Sequence, residues 1–410
     1  MTPSLPFAAI DLLSLAVSVG KIIFLCFLVI LPLVSISVYF ERRLSAVIQD
    51  RVGPNRVGVP LTLFGFKKDW QPFGIGGLAQ AAADGLKFIL KEDFVPAHVR
   101  KFYYWMAPCL VVVPALLTCA VLPFGSELDL RFLNPVITSV FGGNGFTEPV
   151  KLVIADLSVG PLFTFAIASI GVYGIVLAGW SSNSKYPFLG GVRSSAQMIS
   201  YEISLGLSII PVFMIYGELN LAKMSAFQDA NGWLLLPFWG DSVPWNNGWD
   251  FSRWILLIPI IISFCIFTVS MFAETNRLPF DLAECETELV AGYHTEYSSM
   301  KFALFFMGEY AAMIIGSGMA VTLFLGGWSI PFAPLLGLDY APGNTPWWLG
   351  LLHIATFFAK VFAFILFFIV IRWTLPRFRF DQLMALGWKV FFELALANVF
   401  LTALLIWWLK

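Results

Sequence analysis

The chain has 410 residues, 59% of them hydrophobic and 16% aromatic, with 12% charged and a mean hydropathy of +0.81. Soluble domains do not reach these values, so the chain reads as a membrane protein. A formal charge of −1 and the lack of any basic tract leave nothing to hold nucleic acid. The five cysteines include no CxxC pair and the three histidines are scattered, which argues against an iron–sulfur, zinc or haem site within the chain.

The N-terminus lacks a basic n-region and a small-residue cleavage site, and its first basic residue is Lys21. The first apolar run therefore reads as a retained span. A bilayer core of about 30 Å needs roughly 20 apolar residues. Eight segments qualify, near 20–40, 103–123, 152–180, 195–217, 254–273, 301–326, 350–373 and 388–409. Pro32, Pro114, Pro161 and Pro211 fall inside such runs and predict kinks. Neither a repeat nor a low-complexity linker divides the chain, so residues 1–410 form a single membrane domain. The expected fold is an all-α polytopic membrane protein with about eight transmembrane helices plus an interfacial amphipathic helix.

Basic residues set the expected orientation. Loop 41–102 carries ten lysines and arginines, and Lys185, Arg193, Arg277, Arg377 and Arg379 fall on the same side. Excess Lys and Arg mark the cytoplasmic or matrix side, so both termini are expected to face the other one.

The first long loop begins Glu41-Arg42-Arg43 and continues through QDRVGPNRVG, with a turn at Gly53-Pro54-Asn55. Arg43 and Arg56 read as topological anchors. Arg42 and Arg51 each sit beside a carboxylate or a turn able to aim a guanidinium at a polar ligand. Residues 74–93 place Leu78, Ala82, Leu86 and Ile89 on one face and Gln80, Asp84, Lys87 and Lys91 on the other. That pattern predicts an amphipathic helix in the interface. Loops 218–253 and 327–349 are rich in tryptophan and read as structural aromatic belts.

The stretch 271–297, MFAETNRLPFDLAECETELVAGYHTEY, holds six carboxylates, Glu274, Asp281, Glu284, Glu286, Glu288 and Glu296, against one arginine, Arg277. The acidic loop is expected over 274–300. Carboxylates are costly near lipid, and crowded ones raise one another's pKa, so such a group can bind and release protons near neutral pH. If this piece is helical, the spacing of Asp281, Glu284 and Glu288 puts them on one face, with Glu286 pointing elsewhere. The acids alternate with apolar residues, which points to a segment partly covered by a partner. The loop lacks the compact glycine-bent turn of a calcium site. Five further ionisable residues lie within the apolar runs: Asp156, Glu202, Glu309, Lys360 and Glu393. Each must face the bundle interior or a hydrated cavity, as a buried pair or as a proton relay. Lys360 is a candidate counter-ion for one of the acids.

Four motifs, AETNRLPFDLAECETELVAGYHTEY at 273–297, FALFFMGEY at 302–310, ERRLSAVIQDRVGPNRVG at 41–58 and LPRFRFDQLM at 375–384, mark the chain. Together they resemble the NuoH-type membrane subunit of respiratory complex I, the proton-pumping NADH:quinone oxidoreductase. The resemblance runs through all eight spans and departs only at the tryptophan-rich loops. It implies a bacterial inner or mitochondrial inner membrane and a wall of a quinone chamber. By match to those motifs Arg42, Gln49, Arg51 and Asp84 are expected to line the quinone channel. Glu41, Glu274, Asp281, Glu284, Glu286, Glu288 and Glu296 are expected in the proton path, continued by Glu202 and Glu309, with Asp156 added. Quinone is then the substrate, while NADH, flavin and iron–sulfur clusters belong to partner subunits. Hydrophilic-arm, small membrane and antiporter-like subunits, and lipid, are the implied partners. The rivals are a related hydrogenase-type subunit without quinone and a stand-alone secondary transporter, although no inverted repeat is visible.

Overall fold

The computed structural model describes residues 12–55, 57, 77–135, 146, 148–237, 251–282, 286–338, 340–343 and 345–409. Helix α1 (Leu12–Ile22) runs through a π-helical stretch, Ile23–Ile30, into α2 (Leu31–Ile48). Then follow α3 (Ala79–Leu90), α4 (Lys101–Thr118), a two-stranded antiparallel ribbon of β1 (Glu127–Leu128) and β2 (Val150–Lys151), and α5 (Gly160–Ser181). The chain continues with α6 (Lys185–Tyr216), α7 (Leu221–Asn231), α8 (Phe251–Glu274), the single turn α9 (Glu286–Leu289) and α10 (Ser299–Phe324). It closes with α11 (Ala333–Leu336), α12 (Trp347–Thr374), α13 (Phe380–Ala385) and, after a second π-helical stretch at Leu386–Phe391, α14 (Phe392–Leu409).

Eight of these helical stretches are long and apolar enough to cross a membrane. Span α10 is the axis of the bundle, with 78% of its window buried, whereas the last span is only 17% buried. Phe400, Leu404 and Trp407 on α14 are accordingly exposed, which costs nothing against acyl chains. Helices α4, α5, α6 and α8 pack in succession beside α10, and α14 closes against α6 and α8. Asn398 of α14 donates from Nδ2 to Pro259 O and Ser263 Oγ of α8, at 3.0 and 2.9 Å. Such interhelical hydrogen bonds supply about 0.6–2 kcal/mol each where the hydrophobic effect cannot drive association.

Hydrogen bonds to backbone carbonyls gather several loops at one end. Arg100 N donates to Ser181 O, Phe378 N donates to Pro279 O, and Ser299 Oγ donates to Phe88 O and Lys91 O. The start of α4, the ends of α3, α5, α8 and α12 and the start of α10 therefore share one face of the bundle. The β-ribbon, α7 and α11 occupy the opposite end.

Several sequence expectations need correction. The third span starts at Gly160, where Pro161 occupies the first turn of the helix and causes no kink. Asp156 thus lies in the preceding loop at the β-ribbon end, paired with Lys151 Nζ (3.4 Å) and Asn220 Nδ2 (2.7 Å), and not inside the third span. The fourth span begins ten residues before its expected start, at Lys185. Loop 218–253 contains a helix, α7, capped by Asn220 accepting from Lys223 N. Among the described residues Asp281 lies outside any helix and Glu288 falls in the single turn Glu286–Leu289, so these two do not share a helical face. Helix α3 forms within the expected amphipathic segment; its 74–76 portion lies outside the described residues.

Lys360 is not the counter-ion of Asp156, Glu202, Glu309 or Glu393. Its Nζ donates to Leu325 O, Gly327 O and Ser329 O at 2.8, 3.0 and 2.6 Å and lies 3.9 Å from the centre of the Trp233 ring. The ammonium takes up carbonyls that the end of α10 leaves open, and it joins the two tryptophan-rich loops. Glu393 is exposed on the outer face of α14. Lys360→Met, which keeps the stem and removes the three donors, is expected to cost roughly 2–4 kcal/mol, because buried carbonyls are left unsatisfied. The thermal midpoint of the purified assembly measures this, and an unchanged midpoint rules the bracing role out.

Candidate functional site

The site is built around Arg277, which the sequence shows only as the single basic residue of an acidic stretch. Helix α8 ends in a Schellman turn. Arg277 N donates to Phe272 O and Asn276 N to Ala273 O, with Asn276 left-handed at φ 48°. Asn tolerates that conformation better than most residues. The turn sends the chain back beneath the helices. Gln197 of α6, fully buried, holds it there by donating from Nε2 to Ala273 O and Phe280 O, both at 2.8 Å.

Arg277 is 6% exposed. Its guanidinium lies over the Tyr310 ring at 4.0 Å, with Nη2 3.6 Å from Glu309 Oε2 and Nη1 4.0 Å from Glu41 Oε2. Glu41 also pairs with Arg372 and accepts from the Tyr310 hydroxyl. Glu309 accepts from the Tyr293 hydroxyl at 2.6 Å. Two carboxylates and two guanidiniums from α2, the α8 turn, α10 and α12 thus form a neutral group that buried charge requires. Tyr293 reaches it because the loop backbone lies directly on α6. A Cβ at Gly190 would stand 2.7 Å from Tyr293 N and 2.8 Å from Gly292 C, so only glycine admits the approach.

Beside this group is a cavity with about 100 Å³ open to the centre of a water molecule, walled by α4, α5, α8 and α10. At roughly 10–15 Å³ per water on that measure, it has room for several waters. Its lining is mostly apolar, with Thr118, Thr164, Glu274 and Glu309 facing it. Glu309 is thus shared between the ion group and the cavity. Glu274 lies within electrostatic reach of Glu202, which accepts from Ser169 Oγ on α5. Glu41 and Glu309 thus share Arg277, Glu309 and Glu274 line the same cavity, and Glu274 lies within reach of Glu202.

A second, more exposed group lies at the end of α2. Arg42 Nη1 pairs with Asp84 Oδ2 of α3 at 2.7 Å, and Gln80 donates to the other oxygen of Asp84. Arg51 donates from Nε to Gln49 Oε1 at 2.7 Å and from Nη2 to Ser45 Oγ at 3.4 Å. The remaining loop acids are tied to separate elements: Asp281 to Arg377 (3.2 Å), Glu288 to Arg193 (2.6 Å) and Glu296 to His98 (4.0 Å). Glu284 and Arg56 lie outside the described residues, as does the side chain of Glu286. Among the described residues no cluster of three His, Cys, Asp or Glu side chains could hold a metal.

Residues 21–403 match the family described as NADH dehydrogenase. The chain is 45% identical over 399 residues to an NADH-quinone oxidoreductase H subunit of Koribacter versatilis, covering 96% of this chain and 98% of that protein. It is 43% identical to an H-type NADH-quinone oxidoreductase subunit of Geobacter metallireducens (95% and 96% covered) and 44% identical to that of Salinibacter ruber (90% of each). The chain belongs to the NADH dehydrogenase family. It is a membrane subunit of an oxidoreductase complex, complex I, as the motifs at 41–58, 273–297, 302–310 and 375–384 lead one to expect.

Sequence reasoning missed four members of the Arg277 group. Arg277, Arg372, Tyr293 and Tyr310 carry no local signal of their pairing, since each meets the acids only through the tertiary fold. The available hint was that Arg372, at the end of an apolar span, needs an acid or an interface.

Proposed function

We propose that the subunit forms a wall of the quinone chamber of its complex and carries the first stage of coupling between quinone reduction and proton movement. The observation that carries this reading is the double position of Glu309, inside the Arg277 ion group and on the wall of a cavity able to hold water. Arg42, Gln49, Arg51 and Asp84 form a polar rim where α2 and α3 meet, suited to orient the carbonyls of a quinone. Two electrons and two protons convert quinone to quinol, and the electrons come from NADH through the flavin and iron–sulfur clusters of partner subunits.

Withdrawal of those protons beside Glu41 alters the balance of an ion group that is neutral only while all four charges persist. Its carboxylates then change protonation as a set rather than singly, and Glu309 passes the change to the cavity, Glu274 and Glu202. Asp281, Glu288 and Glu296, each held by a different basic element, fix the loop around this route. Glu284 and Glu286 belong to the same acidic loop. Asp156, at the other end of the bundle, is left out. The loop end faces the cytoplasm or matrix, beneath the hydrophilic arm, and the lipid-exposed spans adjoin small membrane and antiporter-like subunits.

The test uses the whole complex in liposomes. Arg42→Ala is expected to raise the KM for quinone about tenfold, equivalent to roughly 1.4 kcal/mol, with NADH oxidation by a water-soluble acceptor unchanged. Glu274→Gln is expected to lower protons moved per NADH without that KM effect. Unaltered quinone kinetics in the first and full pumping in the second defeat the respective halves of the proposal.

A further inference from the structure

We propose that Cys26 and Cys119 form a redox-sensitive thiol pair that hydrogen peroxide converts to a disulfide. Their 93-residue separation gives no sign of a meeting, yet the two Sγ atoms lie 3.7 Å apart. Cys26 belongs to the π-helical stretch Ile23–Ile30 of the first span. Cys119 opens the 3₁₀ turn Cys119–Val121 that ends α4.

The two thiols differ in a way that assigns them roles. Cys26 is half-buried and is the one reachable by a small oxidant, while Cys119 is 1% exposed. The Cys119 S–H donates to Leu116 O at 2.8 Å, so its sulfur is free to accept the Cys26 S–H. A disulfide needs the sulfurs near 2.05 Å, about 1.7 Å closer than they stand. Lys21, whose Nζ donates to Val153 O at 3.0 Å, lies five residues before Cys26. Cys26 thus lies between one and two helical turns along the first span from that polar contact. A neutral, water-sized oxidant can reach this depth. The reacting form is the thiolate, and its proton ends on the departing hydroxide, so no net charge is left in the apolar phase.

The steps balance. Peroxide transfers a hydroxyl oxygen to the Cys26 sulfur, its O–O bond breaks, and one water leaves with the thiol proton, giving a sulfenic acid. The Cys119 sulfur then attacks the Cys26 sulfur, the S–O bond breaks, and the hydroxyl leaves as a second water with the Cys119 proton. Two thiols are oxidised by two electrons and one peroxide is reduced to two waters. The product ties the π-helical part of the first span to the end of the second. This holds whether or not the chamber binds quinone.

The experiment treats the purified, lipid-embedded complex with hydrogen peroxide, quenches with acid, alkylates in denaturant and maps the chain by mass spectrometry. Expected is a Cys26–Cys119 linked peptide, with loss of two alkylatable thiols that dithiothreitol restores. Cys119→Ala should instead accumulate a sulfenic acid on Cys26, trapped by a 1,3-dione. Cys26→Ala should leave Cys119 a free thiol. The exposed Cys109 and Cys265 report the oxidant dose. A dose that oxidises them without any linked peptide overturns the proposal, and so does sulfenic acid on Cys26 beside a free Cys119 thiol in the unaltered chain.

Discussion

Arg277→Met is expected to destabilise the subunit by about 3–5 kcal/mol, the cost of removing one side of a buried ion group. Methionine fills most of the volume, so lost packing contributes little. What remains is Glu309, 3.6 Å from the missing guanidinium and 7% exposed, with Tyr293 still donating but its cation gone. Glu41 keeps Arg372 and Tyr310, so the larger loss falls on Glu309. Arg277→Lys should recover only part of the deficit. A lysine ammonium cannot reach both acids as a fork while lying flat over the Tyr310 ring. The thermal midpoint and the subunit's retention in the complex on a native gel report the effect. A midpoint within a degree of the unaltered enzyme would mean the two glutamic acids are held by other means.

Glu309→Gln is expected to leave assembly intact and to cut quinone-coupled proton translocation roughly hundredfold, the lower end for loss of a positioned proton-transfer group. Glutamine matches glutamate in shape and can still accept from Tyr293. Arg277 retains Glu41 at 4.0 Å, so no cation is stranded. The variant therefore isolates proton exchange from scaffolding. Tyr293→Phe supplies the control, because it removes the 2.6 Å hydrogen bond and leaves the carboxyl in place. Translocation should fall less there than in Glu309→Gln. Proton uptake by reconstituted complex, normalised to NADH oxidised, measures both, and full uptake by Glu309→Gln takes this residue out of the route.

Legibility followed physical range. Spans are local, since twenty apolar residues announce themselves without reference to anything distant, and the eight runs differ from the helices mainly at their ends. The third was misplaced at its start because 152–159 is as apolar as a helix, while Pro161 and the β-ribbon set the true beginning. Acidic residues were visible one by one, and Glu309 was marked as one that must face inward. Their partners were not. Asp281 with Arg377 and Glu288 with Arg193 join residues nearly one hundred positions apart, and spacing within the loop suggested a shared helical face that the turn at Arg277 prevents. Lys360 shows the same limit, because its partners are backbone carbonyls, which every residue offers and no sequence distinguishes.

The sequence alone thus determined that this is a membrane subunit, which segments are long and apolar enough to cross, and which acids required an explanation. Only the folded chain decided that Arg277 lies at the centre of those acids, that Asp156 stands apart from them, and that two distant thiols touch. Transfer from water to lipid is a property of each segment, summed residue by residue. Pairing of buried charges is a property of positions that come together only when the helices pack.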